Sequence, residues 1–308
     1  MSEGKTFPDF DLKRIGEELN ISRRSIANCP VDKRTLEAIY YDYIDNYPRL
    51  EKRRLEILSG LNEQVNGKVH SIRSRVKEPD HLIGKIIRSS FSNPGKYHLL
   101  DEGNYQKIIT DLIGVRIIIL DRRDWKGVHQ DLLRMYRNLP DRYVRRYSDI
   151  LTNYDRFDEE IRQAKGLPDC AYHAERPIAY ITSEEDRELY SDEFLRLDTS
   201  RAHYRSIHYI IRYKECYFEM QMRSLFEEGW LEFDHRMKYP NDQYNKRKGE
   251  FVDILSNMAN AADHLISFYR EEDFRKKGGS QGKTAAKTDK DLTLKEDLSF
   301  EEKLRRMF

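Results

Sequence analysis

Three cysteines in 308 residues, Cys29, Cys170 and Cys216, are too few and too scattered for a disulfide framework, and no Cys-x-x-Cys pair offers a zinc site. Long apolar runs are missing as well: none approaches the roughly 20 residues that span a bilayer. The polar stretch from Met1 to Asp11 lacks the apolar centre of a signal peptide. A reducing cytoplasm is therefore the expected location, with no membrane partner. An excess of one charge is also lacking. The 55 Lys and Arg stand against 54 Asp and Glu, a net charge of +1, so there is no global basic field of the kind that marks a bulk nucleic-acid binder. No internal repeat is visible. The stretch GGSQGKT in the tail ends like a phosphate-binding loop, but Lys277 stands where the first Gly of G-x-x-x-x-G-K-[ST] is required, and no strand precedes it.

What the chain does have is charge of both signs, 35% of all residues against roughly 25% in an average soluble protein. That excess implies exposed charged helices or a phosphate-rich ligand. The length allows one large or two modest domains with a real core. Residues 1–70 read as helical: Leu36, Ile39, Tyr40 and Tyr43 recur at helical spacing behind a capping Asp32, and Leu50 to Leu61 continue the pattern after Pro48. The rhythm then changes. VHSIRSRVK (69–77) has the look of a strand, and Pro79 suits the first turn of a helix through Ser90, with Asp80 near its N-terminus. Asn104–Thr110 suggests a short helix. DLIGVRIIIL (111–120) is the strongest strand signal, a buried central strand by its Ile and Val content.

Trp125–Tyr136 reads as a helix, and 141–200 as an insertion of short strands and loops, with Ile178, Tyr180 and Thr182 two apart. Tyr204–Arg212 and Cys216–Met222 form a candidate hairpin, followed by helices at Leu225–Met237 and about Lys246–Tyr269. From Lys276 the composition turns to Gly, Lys and Asp, the signature of disorder, ending in a short amphipathic stretch at 298–308. The implied division is a helical region 1–66, a central domain 67–240, a helix within 241–275 and a tail 276–308.

Three constellations carry chemistry. Arg75 and Lys77 fall on one side of a strand, and the next helix can bring Lys85 to them. This is either a polyphosphate grip beside a helix N-terminus or an exposed basic strand. Asp111 opens a buried strand and needs a partner or a metal; Gly114 permits close approach, and Arg116 can stack on a base or form an ion pair. Tyr204, Ser206 and His208 alternate onto one face, as do Glu219, Gln221 and Arg223 in the next strand. So many polar groups suit an active-site floor or a water-exposed sheet face. As a floor, it makes Asp111 and Glu219 a pair of carboxylates able to hold magnesium.

Arg75-Val-Lys77 with Lys85, DLIGVRI, YRSIH and EMQMRSLFEEGW…DH, in that order, resemble the synthetase domain of RelA/SpoT enzymes and small alarmone synthetases over roughly residues 34–240. The resemblance implies an α+β fold, a mixed sheet flanked by helices and related to nucleotidyltransferases. It implies a Mg²⁺-dependent enzyme that moves the β,γ-diphosphate of ATP to the 3′-hydroxyl of GTP or GDP and releases AMP. By motif position, Arg75 and Arg116 would sandwich adenine, and Lys77 and Lys85 would bind phosphates. Asp111 would ligate the metal, and Glu219 would help place it and act as general base. Tyr204 would stack on the acceptor base, with His208, Gln221 and Arg223 orienting acceptor and phosphates.

There are departures. His203 stands where the family usually has Gly. The bifunctional members add a His-Asp metal hydrolase domain, whereas here 80–81, 234–235 and 263–264 are all Asp-His, so synthesis without degradation is expected. Control by oligomerisation, an antitoxin or another partner is expected in turn. Two other readings stand beside this one. A toxic branch of the family modifies the 3′ end of tRNA or makes an adenosine alarmone, which Arg142, Arg145 and Arg146 would suit. A non-catalytic nucleotide-sensing module would keep the fold alone.

Overall fold

The computed structural model describes residues 5–65, 67–136, 171–201, 203–238 and 246–278, with the backbone alone for 235–238, 246–249 and 271–278. The expected basic cluster Arg142–Arg146 and the tail from 279 lie outside the described residues. The fold is α+β, a mixed sheet flanked by helices.

Three helices open the chain: α1 (Leu12–Glu18), α2 (Arg23–Ala27) and the long α3 (Lys33–Val65). Asp32 caps α3 as expected, accepting from the backbone N–H of Arg34 and Thr35 at 2.9 and 3.0 Å. Pro48 lies inside α3 and does not end it. Tyr47 and Leu50 on either side of it are both buried, so tertiary packing offsets the hydrogen bond that proline cannot make.

Next come β1 (Ser71–Val76), α4 (Pro79–Ser92), the short α5 (Pro94–Tyr97) and α6 (Tyr105–Ile108), β2 (Ile113–Ile119) and α7 (Trp125–Met135). The described part of the expected insertion contains β3 (Tyr172–His173), β4 (Ile178–Tyr180), α8 (Glu184–Leu189) and β5 (Arg196–Asp198). The hairpin β6 (Ser206–Tyr213) and β7 (Cys216–Ser224) follows, turning at Lys214 with φ +51°. Last are α9 (Leu225–Lys238) and α10 (Lys246–Gly278). The last of these runs past the apolar period that ends at Tyr269, through a stretch of Arg, Glu and Lys that are themselves good helix formers.

The strand order is β1-β2-β7-β6-β4-β5, with β3 pairing β6. β2 runs parallel to β7 and β4 to β5; the other pairings are antiparallel. Residues 178–198 are thus built into the sheet: β4 pairs with β6 directly. The two-residue period divides the sheet's faces. Ile113, Val115 and Ile117 of β2, Ile207 and Tyr209 of β6, and Phe218, Met220 and Met222 of β7 enter one core shared with α3 and α4. The opposite face carries Gly114, Arg116, His208, Glu219, Gln221 and Arg223. β2 is therefore apolar along the whole of one face, while its other face opens at Gly114 and Arg116 and is buried again at Ile118. A smaller apolar cluster, Trp230, Val252 and Ala259, joins α9 to α10. No helix among the described residues is long and apolar enough to cross a membrane.

Candidate active site

Register places the polar residues in rows across the sheet. Arg75 lies opposite Gly114 and Gly114 opposite Glu219; one step along, Arg73, Arg116, Gln221 and His208 align. Neighbouring strands are about 4.8 Å apart, so each row is a band of converging side chains. At Gly114 the band has a gap, because a Cβ there would meet nothing within 4 Å. A cavity of about 270 Å³ opens over it, lined by Arg73, Ser74, Arg75, Lys77, Asp111, Val115, Arg116, Glu219 and Gln221.

Asp111, two residues before β2, is the electrostatic centre. Its Oδ2 is 3.2 Å from Lys77 Nζ and 2.5 Å from Lys85 Nζ. Burial alone would push its carboxyl up, but the two ammonium groups outweigh burial and hold it below the usual range. The lysines respond differently: burial lowers Lys77 more than Asp111 restores, whereas for Lys85 the ion pair wins and its value rises. Oδ1 of Asp111 is buried without a hydrogen-bond partner, an acceptor left for a further cation. From behind, the Tyr43 hydroxyl of α3 donates to the Lys77 carbonyl at 2.6 Å and fixes the end of β1.

Glu219 is held by two donors, His208 Nδ1 at 2.9 Å and Gln221 Nε2 at 3.0 Å. Burial would raise its carboxyl; the His208 hydrogen bond is the main effect that brings it below the usual range. His208 is itself lowered, by burial against the pull of Glu219. A carboxylate can only accept, so Nδ1 carries the proton, and Nε2 accepts from the Tyr204 hydroxyl at 2.7 Å. Arg223 Nη2 reaches that hydroxyl at 3.4 Å and also bonds Gln221, while its Nη1 is 3.6 Å from Glu228. Tyr204, His208, Glu219, Gln221 and Arg223 thus form one connected network.

Ser206 turns its hydroxyl to the Met222 carbonyl and serves the sheet. Arg116 is engaged from α9 by Glu228 at 3.0 Å and by Glu232. Its N–H edge is used in this way, which leaves the flat face of the guanidinium for stacking. Sequence reading missed these two glutamates, which α9 brings over the sheet. It also missed Arg73, although alternation with Arg75 signals it, and Tyr180, which β4 sets edge-on to Tyr204 and His208 at 5.5 and 4.9 Å. His203 has φ +59°, the left-handed region where glycine is favoured. Its Nε2 is 3.1 Å from Asp253 of α10.

The family model described as the region found in RelA / SpoT proteins matches residues 74–244, over half of the chain. The chain belongs to the RelA/SpoT family. That match runs from within β1 to beyond α9 and includes every site residue named above except Tyr43, Arg73 and Asp253. Among solved structures, this RelA/SpoT chain is similar to small alarmone synthetase 1 from Bacillus subtilis, at 17% identity and a TM-score of 0.45, covering 76% of this chain and 96% of that one. It is similar also to a GTP pyrophosphokinase family protein from Streptococcus pneumoniae, at 14% identity and a TM-score of 0.45, covering 76% and 93%. No curated protein matches it.

Proposed function

We propose that this RelA/SpoT chain is a pyrophosphokinase that transfers the β,γ-diphosphate of ATP to the ribose 3′-hydroxyl of GTP or GDP, making (p)ppGpp and releasing AMP. The observation that carries this reading is that one cavity is lined together by Asp111, Glu219, Lys77 and Arg75 around the bare Gly114. Polyphosphate transfer needs such a set, since positioning and charge neutralisation supply most of the rate.

At about 270 Å³ the cavity is small for one ligand and cannot take two nucleotides. ATP phosphates belong against Lys77 and Lys85, with adenine toward Arg75 and Arg116. The acceptor belongs on the adjoining side, at Tyr204, His208, Gln221 and Arg223. The 3′-oxygen attacks the β-phosphorus, the bond from that phosphorus to the α,β-bridging oxygen breaks, and AMP departs with the bridging oxygen. Glu219, ionised and fixed by two donors, accepts the hydrogen bond of the attacking hydroxyl and then its proton. The unpartnered Asp111 oxygen together with Glu219 fits Mg²⁺, which takes one or two protein carboxylates and completes its shell with water and phosphate. When bound, the ion would neutralise phosphate charge.

The test offers ATP labelled at the γ-phosphate with GTP, GDP, ATP or tRNA. Label is expected in GTP or GDP. Asp111→Ala and Glu219→Gln are each expected to lower transfer at least about a hundredfold with the circular dichroism spectrum unchanged. Retained turnover in both variants would sink the assignment. Label in tRNA would make the chain a member of the toxic branch, and nucleotide binding without transfer would make it a sensing module.

A further inference from the structure

Two guanidinium groups face the ring of Tyr204, and they differ in kind. Arg223, 5.6 Å from the ring centroid, is buried and tied to Gln221 and Glu228, so it is part of the floor. Arg201 is exposed and approaches from the loop before β6, 5.2 Å from the Tyr204 centroid and 4.1 Å from that of Tyr180. No carboxylate lies within ion-pairing distance of Arg201 among the described residues. Its direct contacts are the two rings, with the Asp198 carboxylate felt only at longer range, an arrangement in which the cation rests on π faces. Tyr180, nearly buried on β4 and edge-on to both Tyr204 and His208, backs this aromatic corner.

We infer that Arg201 is an acceptor-binding residue that caps a nucleotide base against Tyr204. This rests on the reading of Tyr204 as the acceptor platform. A planar base between a ring and a guanidinium needs about 7 Å, two van der Waals layers. At 5.2 Å the layer is closed, so one group must give way. Tyr204 is held by His208 and Arg223, and Tyr180 is held by the sheet. Arg201, long, exposed and free of ion pairs, is the group that can lift and settle on the far face of the base. The ligand class is a nucleotide: the corner offers stacking surface on one side and, beside it, a guanidinium that forms no ion pair. Stacking of this sort tolerates base identity, so Arg201 governs how tightly an acceptor base is held more than which base it is.

The test compares the full-length chain with Arg201→Ala and Arg201→Lys, using GTP as the probe in two measurements: initial transfer rates and equilibrium binding by calorimetry. Arg201→Ala is expected to raise the GTP KM and Kd about tenfold, equivalent to about 1.4 kcal/mol, leaving the ATP KM and kcat within about twofold. Arg201→Lys is expected to behave like the alanine variant, because it keeps the charge and loses the plane. Restoration by lysine would mean a phosphate contact and would overturn the stacking role. Unchanged GTP parameters in Arg201→Ala, with the wild type active, would overturn the inference and leave the proposed function standing. Weakened GTP binding in the variant of a wild type that transfers no label would do the reverse. Absence of both binding and transfer would remove both.

Discussion

Asp263 on α10 is buried, accepts a 2.6 Å hydrogen bond from Ser224 at the end of β7, and has its second oxygen unpartnered. Burial, with the nearby charge of Glu227 adding to it, pushes its carboxyl up from 3.8 to about 7 against the Ser224 hydrogen bond. A folded-state value above the unfolded one means that the unfolded chain releases this proton first. The group's stability contribution is therefore whole below about pH 4 and lost as pH rises to about 7. Asp263→Asn keeps an acceptor for Ser224 and has no proton to lose. The variant is expected to match wild type in acid and to exceed it at pH 8 by on the order of 3 kcal/mol, read from denaturant midpoints across pH. Equal midpoints at pH 8 would refute this. The carboxylates of the active site point the other way: Asp111 and Glu219 are lowered, and what they contribute is lost in acid.

Single elements explain why some features were legible and others were not. The alternation in EMQMRS and the Ile–Val density of β2 announce strands, since a two-residue period has one geometric meaning. The capping box that starts α8 is visible as Ser183-Glu-Glu-Asp186, and both reciprocal bonds form. Six residues without an apolar period kept it from being read as a helix. β2 also shows how an element shapes the site through what it omits. A side chain at Gly114 would meet open space, so Gly114→Val suits a strand and is expected to leave stability within about 0.5 kcal/mol of wild type. The same side chain enters the cavity between Arg75 and Glu219. A loss in kcat/KM of about a hundredfold is expected, measured beside the thermal midpoint. Intact activity would mean that the nucleotide lies elsewhere.

Across the whole molecule, the helical layer α9–α10 is joined to the sheet as much by buried charge as by apolar contact. Arg205, next to Tyr204, reaches Asp186 of α8 at 2.9 Å and Glu227 of α9 at 3.1 Å, and Glu227 also accepts from the Trp230 indole at 2.7 Å. Farther along α10, Ser267 donates to Asp121 at 2.8 Å, and Arg270 pairs with Asp124 at 2.8 Å. Removing one member of such a buried set strands the others without partners. Arg205→Ala is therefore expected to cost about 3–5 kcal/mol, read as a lowered denaturant midpoint, and to disturb the acceptor side through Tyr204. A midpoint unchanged from wild type would show that the Arg205 ion pairs add nothing to the attachment of the layer.

The sequence by itself determined the strands around the site, the residue types they carry and the family, because strand alternation and motif order are local properties of the chain. Arg75, Lys77, Asp111, Arg116, Glu219 and Gln221 line one cavity, and each is visible as a residue type at a telling spacing. Tertiary structure alone decided which groups meet across the chain: Tyr43 behind Lys77, Glu228 and Glu232 on Arg116, Tyr180 beside Tyr204, and Asp253 on His203. Those contacts join residues about 24 to 116 positions apart along the chain, and they arise from strand order and helix docking, which no local period encodes. His203 lies between the two cases. The residue type is plain in the sequence, but its meaning, a left-handed backbone beside Tyr204, comes from φ and from nothing else.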